Sequence, residues 1–400
     1  MNFFAEGVGA VPEMSDVFVL AKTDGYLSGR GLRQRLAPGP VHTLAERVRA
    51  YFAGSPANGN SLLMGAIPFD RMADDFLFQP EIVSHARPVT TCDARPFGHR
   101  WQVRPEPSRA RYEEAVMEAL RLIAESHAGD DPLEKIVLSR SLLLEADEPV
   151  DVMALLERLA GDPGAVRFLT PLGASAGGDP RYLTGATPEL LIRKSGEAVL
   201  SHPLAGSSPR SADAAEDKAA AERLMRSQKD RREHQWVVEA ILDGLAPYCH
   251  VLHAPDVPDL VSTRSMWHLA TRIEGRLKDP EGVSAAELAA VLHPTPAVGG
   301  TPRGRALALI PELELYDRGF YAGAVGWTDR AGDGEWYVSL RCAEVTGRQV
   351  RVYAGAGIVE GSVPAEEADE TSAKLQAILR ALGIDEDGRT QSSSAIGAVA

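Results

Sequence analysis

The strand-like runs of this sequence arrive in adjacent pairs joined by turn residues, and that arrangement limits the fold more than any other feature. RYLTGATPELLIRK (181–194) and EAVLSHPLAG (197–206) flank Ser195-Gly196, while GEWYVSLRCAEV (334–345) and RQVRVYAGAG (348–357) flank Thr346-Gly347. Strands joined by tight turns pair antiparallel, whereas a doubly wound parallel sheet needs a crossover helix between successive strands. KIVLSRSLLL (135–144), rich in branched apolar residues, reads as a further buried strand. Helical spacing appears over 109–126, where Tyr112, Val116, Leu120 and Ile123 recur, and again over about 213–246 and 364–382. The pattern predicts an α/β chain of the α+β type, with antiparallel sheet and outer helices. No long linker and no internal repeat divides it. Residues 1–384 therefore read as one domain, and DEDGRTQSSSAIGAVA (385–400) as a frayed tail.

Charge narrows the function classes. Lys plus Arg number 42 and Asp plus Glu 56, a net charge of −14 with no basic run, which disfavours nucleic acid as a partner. No stretch approaches the ~18 apolar residues of a spanning helix. The start, MNFFAEGVGAVPEMSD, carries an acid where a signal peptide has positive charge. Cys92, Cys249 and Cys342 are far apart and form no CxxC pair, so neither a disulfide framework nor a zinc site is indicated. A cytoplasmic protein is expected.

Only seven of the basic residues are lysines. Arginine holds its proton at any working pH, whereas a desolvated lysine can serve as a base. Lys135 opens the apolar strand Ile136-Val137-Leu138, where it either snorkels to solvent or acts as a general base. Glu189 in ATPELLIR precedes Leu190, Leu191 and Ile192. It is either a strand-edge carboxylate or a buried acid with a raised pKa.

The acidic helices say more. After the capping residue Ser227, Asp230, Glu233, Val237 and Ile241 follow on one stripe, and Glu367, Glu370, Lys374 and Ile378 share another. Such acids either complement a helix dipole or meet over a hard cation such as Mg²⁺, which needs only one or two protein carboxylates beside water and substrate. Arg341 falls on the more polar side of an alternating run, where its planar fork can hold a carboxylate. Tyr353-Ala-Gly355-Ala-Gly357 lets backbone approach an anion closely. His293 and His268 show no metal-ligand spacing.

Taken together, KIVLSR, GATPELL, HPLAGSSPR, SQKDRREH, WHL, LHPTPAVGG, YAGAVGW, GDGEWYVSLRCA, YAGAGIVEGS and EEADETSAKL resemble the chorismate-utilising enzymes, with the isochorismate synthases the nearest branch. GAIPFD (66–71) is a weaker match. The resemblance implies one domain of two packed, mainly antiparallel sheets with helices outside and the active site in a cleft. It implies Lys135 as the base that activates water and Glu189 as the acid that protonates the departing hydroxyl. It assigns Glu233 and Glu370 to Mg²⁺ directly, and Asp230 and Glu367 through water. Arg341, Tyr321, Gly355 and Lys374 match residues that hold the substrate carboxylates, and Gly206, Ser207, His268 and Ala297 line the same pocket.

Differences within the family point to one activity. Ammonia-using members generally lack the base lysine, and aminodeoxychorismate synthases carry a lysine where this chain has Ala205 in Pro203-Leu204-Ala205-Gly206. No glutaminase partner is therefore expected. Members that eliminate pyruvate tend to have Thr at the position of Ala297. The resemblance implies release of isochorismate, with salicylate synthesis as the alternative. It leans toward 2,3-dihydroxybenzoate rather than menaquinone as the downstream product.

Overall fold

The computed structural model describes residues 16–55, 61–87, 97–162 and 164–390. Among these, 17 strands form one continuous antiparallel ribbon, and three more form a separate small sheet. Ribbon order runs Cys249–His253, Ile273–Leu277, Ala198–His202, Leu190–Ser195, Gly334–Val338, Ala324–Asp329, Leu62–Ile67 and Phe76–Ser84. It continues through Tyr26–Arg35, Val17–Ala21, Val166–Ala174, Pro180–Thr187, Cys342–Thr346, Gln349–Val359 and Lys135–Ala146. Trp101–Glu106 and Gly300–Thr301 share the outer edge of that last strand.

The ribbon folds back over itself, so that strands such as Leu62–Ile67, Lys135–Ala146 and Gly334–Val338 are buried on both faces, which suits their near-continuous apolar runs. The larger core takes Leu138, Phe168 and Leu183 from one arm and Leu63, Ile192 and Trp336 from the other. Helices Gln228–Leu245 and Ala285–Leu292 add Val237, Ile241 and Leu288 to it. A second core lies where Leu142, Leu144, Val350 and Val352 meet Leu375, Ile378 and Leu382 of the helix Pro364–Leu382. The small sheet pairs Leu204–Pro209 and Asp259–Ser262 with Met266–Ala270. Its anchor is Asp217, whose carboxylate takes hydrogen bonds from Arg210 Nε, Ser211 N and Trp267 Nε1. Those bonds hold that carboxyl down at about 2.

Several local expectations need correction. RYLTGATPELLIRK is two strands, Pro180–Thr187 and Leu190–Ser195, separated at Pro188-Glu189; only the second forms the expected hairpin, with Ala198–His202. The end of EAVLSHPLAG opens a strand of the small sheet instead. GEWYVSLRCAEV also breaks, into Gly334–Val338 and Cys342–Thr346. Arg341 thus sits on no strand face: its φ of 45° turns the chain in the left-handed region between the two strands. The helical region 213–246 is two helices, Ala214–Arg226 and Gln228–Leu245, with extended Ser227 between them accepting from Asp230 N at 3.2 Å. The tail expected from residue 385 is not frayed over 385–390. Asp385 Oδ1 accepts from Asp387 N and Arg389 N, and Arg140 Nη2 reaches Glu386 at 3.2 Å. Residues 391–400 and Cys92 lie outside the described residues, and Cys249 and Cys342 are free thiols. No helix among the described residues is long and apolar enough to cross a membrane.

Candidate active site

Val137 of Lys135–Ala146 and Tyr353, Gly355 and Gly357, alternate residues of Gln349–Val359, line a cleft whose space, open solvent included, is about 740 Å³. Its lining includes Glu189, Gly206, Glu233, His268, Ala297, Tyr321, Arg341, Gly355, Glu370 and Lys374. Ten predicted site residues from distant parts of the chain therefore share one cavity. Lys135, Ser207, Asp230 and Glu367 stand just behind that lining, each touching a residue in or beside it. The glycines are needed for approach: a Cβ at Gly357 would lie 2.4 Å from Glu233 Oε1, and one at Gly355 would lie 3.0 Å from Tyr321 Oη.

Lys135 is fully buried, which excludes the snorkelling alternative. Its Nζ lies 2.9 Å from Glu233 Oε1, but off the alignment of a hydrogen bond, and it has no hydrogen-bond partner among the described residues. Glu189 is buried at the break between two strands, where its backbone carbonyl accepts from Val338 N. Burial pushes its carboxyl up to about 8, against the opposing pull of Lys135, a hydrogen bond from the Leu204 backbone, and Arg341. At neutral pH that group is mostly protonated.

Arg341 supplies the positive end. Nη2 lies 2.6 Å from His268 Nε2, and buried Nη1 has no hydrogen-bond partner among the described residues. Burial holds His268 well below its ordinary pKa, with Arg341 and Lys374 adding to the effect. The ring is neutral and accepts from the arginine, while its other nitrogen bonds the Gly206 backbone. Gly206 has φ +75°, and a Cβ there would meet Asp230 Cβ at 3.0 Å, so only glycine fits this bend. Tyr321 is buried and stacks on Tyr353 at 4.9 Å.

Two carboxylates, Glu233 and Glu370, line the cleft, with Asp230 and Glu367 behind them. Glu370 Oε1 takes Lys374 Nζ at 2.6 Å and Ser207 Oγ at 2.8 Å. Burial works to raise its carboxyl, but Lys374 and these bonds carry it below its ordinary value. Glu367 holds Lys229 Nζ at 2.9 Å. Burial raises both Asp230 and Glu367; Glu233 and Glu370 repel the first, and Glu370 the second. No three His, Cys, Asp or Glu side chains form a ready-made metal cage among the described residues.

A family model of chorismate binding enzymes matches residues 75–383. The chain belongs to the chorismate binding enzyme family. It is 44% identical over 352 residues to the isochorismate synthase DhbC of Bacillus subtilis (strain 168), covering 86% of this chain and 87% of that protein. It is 40% identical over 349 residues to the isochorismate synthase EntC of Escherichia coli (strain K12), covering 86% and 88%. A crystal structure from Bacillus anthracis, provisionally named a 2,3-dihydroxybenzoate-specific isochorismate synthase, DhbC, matches with a TM-score of 0.86 and 38% identity over 93% of this chain and 97% of that one.

Sequence reading misses part of this cleft. Val137, Val298 and Leu340 give the cleft its apolar walls, and Lys229 holds Glu367. Val137 carried a signal, alternating with Lys135 on the same strand. Leu340 carried none, because it lies in the break that the alternation skipped over.

Proposed function

We propose that this protein is an isochorismate synthase, an isomerase that moves the ring hydroxyl of chorismate from carbon 4 to carbon 2, and that its product feeds 2,3-dihydroxybenzoate synthesis. One observation carries this reading: a fully buried lysine and a carboxyl held protonated by burial serve the same cleft from different strands. In this mechanism, Lys135 takes a proton from water as its oxygen attacks carbon 2 and the ring double bonds shift. Glu189 gives its proton to the hydroxyl leaving carbon 4. One water enters and one departs, so the reaction balances as an isomerisation. Arg341 Nη1, which has no acceptor among the described residues, suits one substrate carboxylate, with Tyr321, Gly355 and Lys374 lining the same space.

The oxygen-only donor set fits Mg²⁺. Glu233 and Glu370 would hold it directly, and Asp230 and Glu367 through water. Burial raises the Asp230 and Glu367 carboxyls, with repulsion from Glu370 adding to both, and a cation between these acids would offset that cost. When bound, the ion supplies positive charge that anchors a substrate carboxylate in a chain whose own net charge is −14.

Purified protein with chorismate and Mg²⁺ should form isochorismate without ammonia or a glutaminase, with chromatography resolving isochorismate, salicylate and pyruvate. Activity that appears only with ammonium and yields an aminated product would overturn the assignment. The pH dependence follows from Glu189. Its carboxyl is protonated below about 8 and loses its proton as pH rises through that value, so kcat/KM should fall on the alkaline side near pH 8. Stability follows the same sign: the folded state keeps a proton that the unfolded chain releases, so Glu189 favours folding less as pH climbs toward 8. A kcat/KM profile flat from about pH 7 to about pH 9 would exclude Glu189 as the acid.

A further inference from the structure

The strand that carries Lys135 has a gap along one edge. Gln349–Val359 pairs with it from Glu145 to Lys135 on one side. On the other, Gly300–Thr301 covers Ile136 and Lys135, and Trp101–Glu106 covers Ala146 back to Ser141. Between those short partners, from Val137 to Arg140, no strand among the described residues pairs with that edge; Gly299 O accepts from Val137 N at 2.8 Å, and the gap begins beyond it.

Two buried side chains fill this stretch. Arg318 Nη2 donates to Val137 O at 2.7 Å, and Ser139 N donates to Glu314 Oε1 at 2.6 Å. An arginine and a glutamate thus supply the donor and acceptor that a neighbouring backbone would have offered. They are joined through Arg318 Nε to Glu314 Oε2 at 2.9 Å, and Ser139 Oγ adds a bond to Glu314 Oε1 at 2.8 Å. Arg318 Nη1 donates to Val298 O at 2.8 Å. One guanidinium therefore ties the strand of Lys135 to the loop behind Ala297, and Val137 and Val298 both line the cleft. The Phe69 ring lies 4.2 Å beneath the guanidinium and holds it in plane.

We propose that Arg318, fixed by Glu314, is a positioning residue of the reaction: it substitutes for a missing strand and sets where Lys135 stands relative to the cleft wall at Val298. Removing two charges from water is a costly way to close a sheet edge. What it provides is a planar fork that satisfies carbonyls from two separate segments at once, which an apolar contact cannot do.

The inference rests on Lys135 being the base, so the test treats the two ideas separately. Arg318→Lys keeps a positive charge beside Glu314 but loses the fork. The variant should lose ~10²-fold in kcat, the scale of a small misplacement of reacting groups. KM for chorismate should stay within about threefold, because Arg341 and Lys374 are untouched. On the residual turnover of Lys135→Ala, Arg318→Lys should cost almost nothing more, since there is no base left to misplace. A folded Arg318→Lys variant with kcat within about threefold of the parent, while Lys135→Ala is inactive, overturns the positioning role alone. An active Lys135→Ala overturns the base reading instead. Should Arg318→Lys show no cooperative thermal melt, Ser139→Ala decides. It loosens the grip on Glu314 and should lower kcat by ~10-fold at unchanged KM; a parental kcat there overturns the proposal.

Discussion

Lys135→Arg should lower turnover by ~10²–10⁴-fold, the contribution general acid–base groups usually make. The substitution keeps the positive charge, so ion pairing with Glu233, now at 2.9 Å, remains available. It removes the capacity to give up a proton, because a guanidinium stays charged at any working pH. Lys135→Ala should be at least as poor. Lys135 is fully buried and its Cε would lie 3.0 Å from a Cβ at Gly357, so the larger arginine needs a size control. Lys135→Met, close in length and unable to accept a proton, provides it and should be equally inactive. Chorismate binding, read by calorimetry, should persist in all three, since Arg341 and Gly355 are unchanged. Turnover of Lys135→Arg within a few-fold of the parent would mean that position 135 supplies only charge, and the water-activation mechanism would have to be abandoned.

Glu233→Ala and Glu370→Ala should each abolish turnover while the protein still melts cooperatively. Each removes one of only two carboxylates proposed to touch Mg²⁺, a hard ion that takes oxygen ligands. The two variants should differ in what they leave behind. Without Glu233, Lys135 loses the carboxylate 2.9 Å away; without Glu370, Lys374 and Ser207 lose theirs. Calorimetric titration with Mg²⁺ in the absence of chorismate separates metal binding from catalysis and should show weakened affinity in both. Asp230→Ala should be milder, ~10–100-fold, as an outer partner acting through water. Near-normal activity at saturating Mg²⁺ in both glutamate variants would contradict the metal assignment.

What could be read from the sequence was local. Asp230, Glu233, Val237 and Ile241 lie on one helical stripe, and the structure buries Glu233, Val237 and Ile241 on it, because helical periodicity involves only near neighbours. Lys135 stood out as one of seven lysines among apolar residues, and it is buried at the cleft. Arg341 was found, but on a strand face that does not exist, because counting alternate residues assumes an unbroken strand and cannot register a positive φ at residue 341. Glu314 and Arg318, four residues apart, have the spacing of an ordinary surface ion pair. Nothing local reveals that their partners are Ser139 and Val137, far earlier in the chain. The order at 385–390 was hidden for the same reason: Arg140, which reaches Glu386, belongs to the Lys135 strand.

The ribbon also dictates an order of events during synthesis. Lys135–Ala146 leaves the ribosome roughly two hundred residues ahead of Gln349–Val359, the strand that covers it from Lys135 to Glu145. Until then the nascent chain exposes an apolar strand with an open edge, the kind of surface on which chains stick to one another. The buried lysine at its head gains the carboxylate that lies 2.9 Å away only when Glu233 emerges, and the glycine that leaves room for it only with Gly357. The cleft is therefore among the last parts of the molecule to be completed, and a chain stalled before the final helix would carry most of the fold but lack Glu370 and Lys374 from the lining.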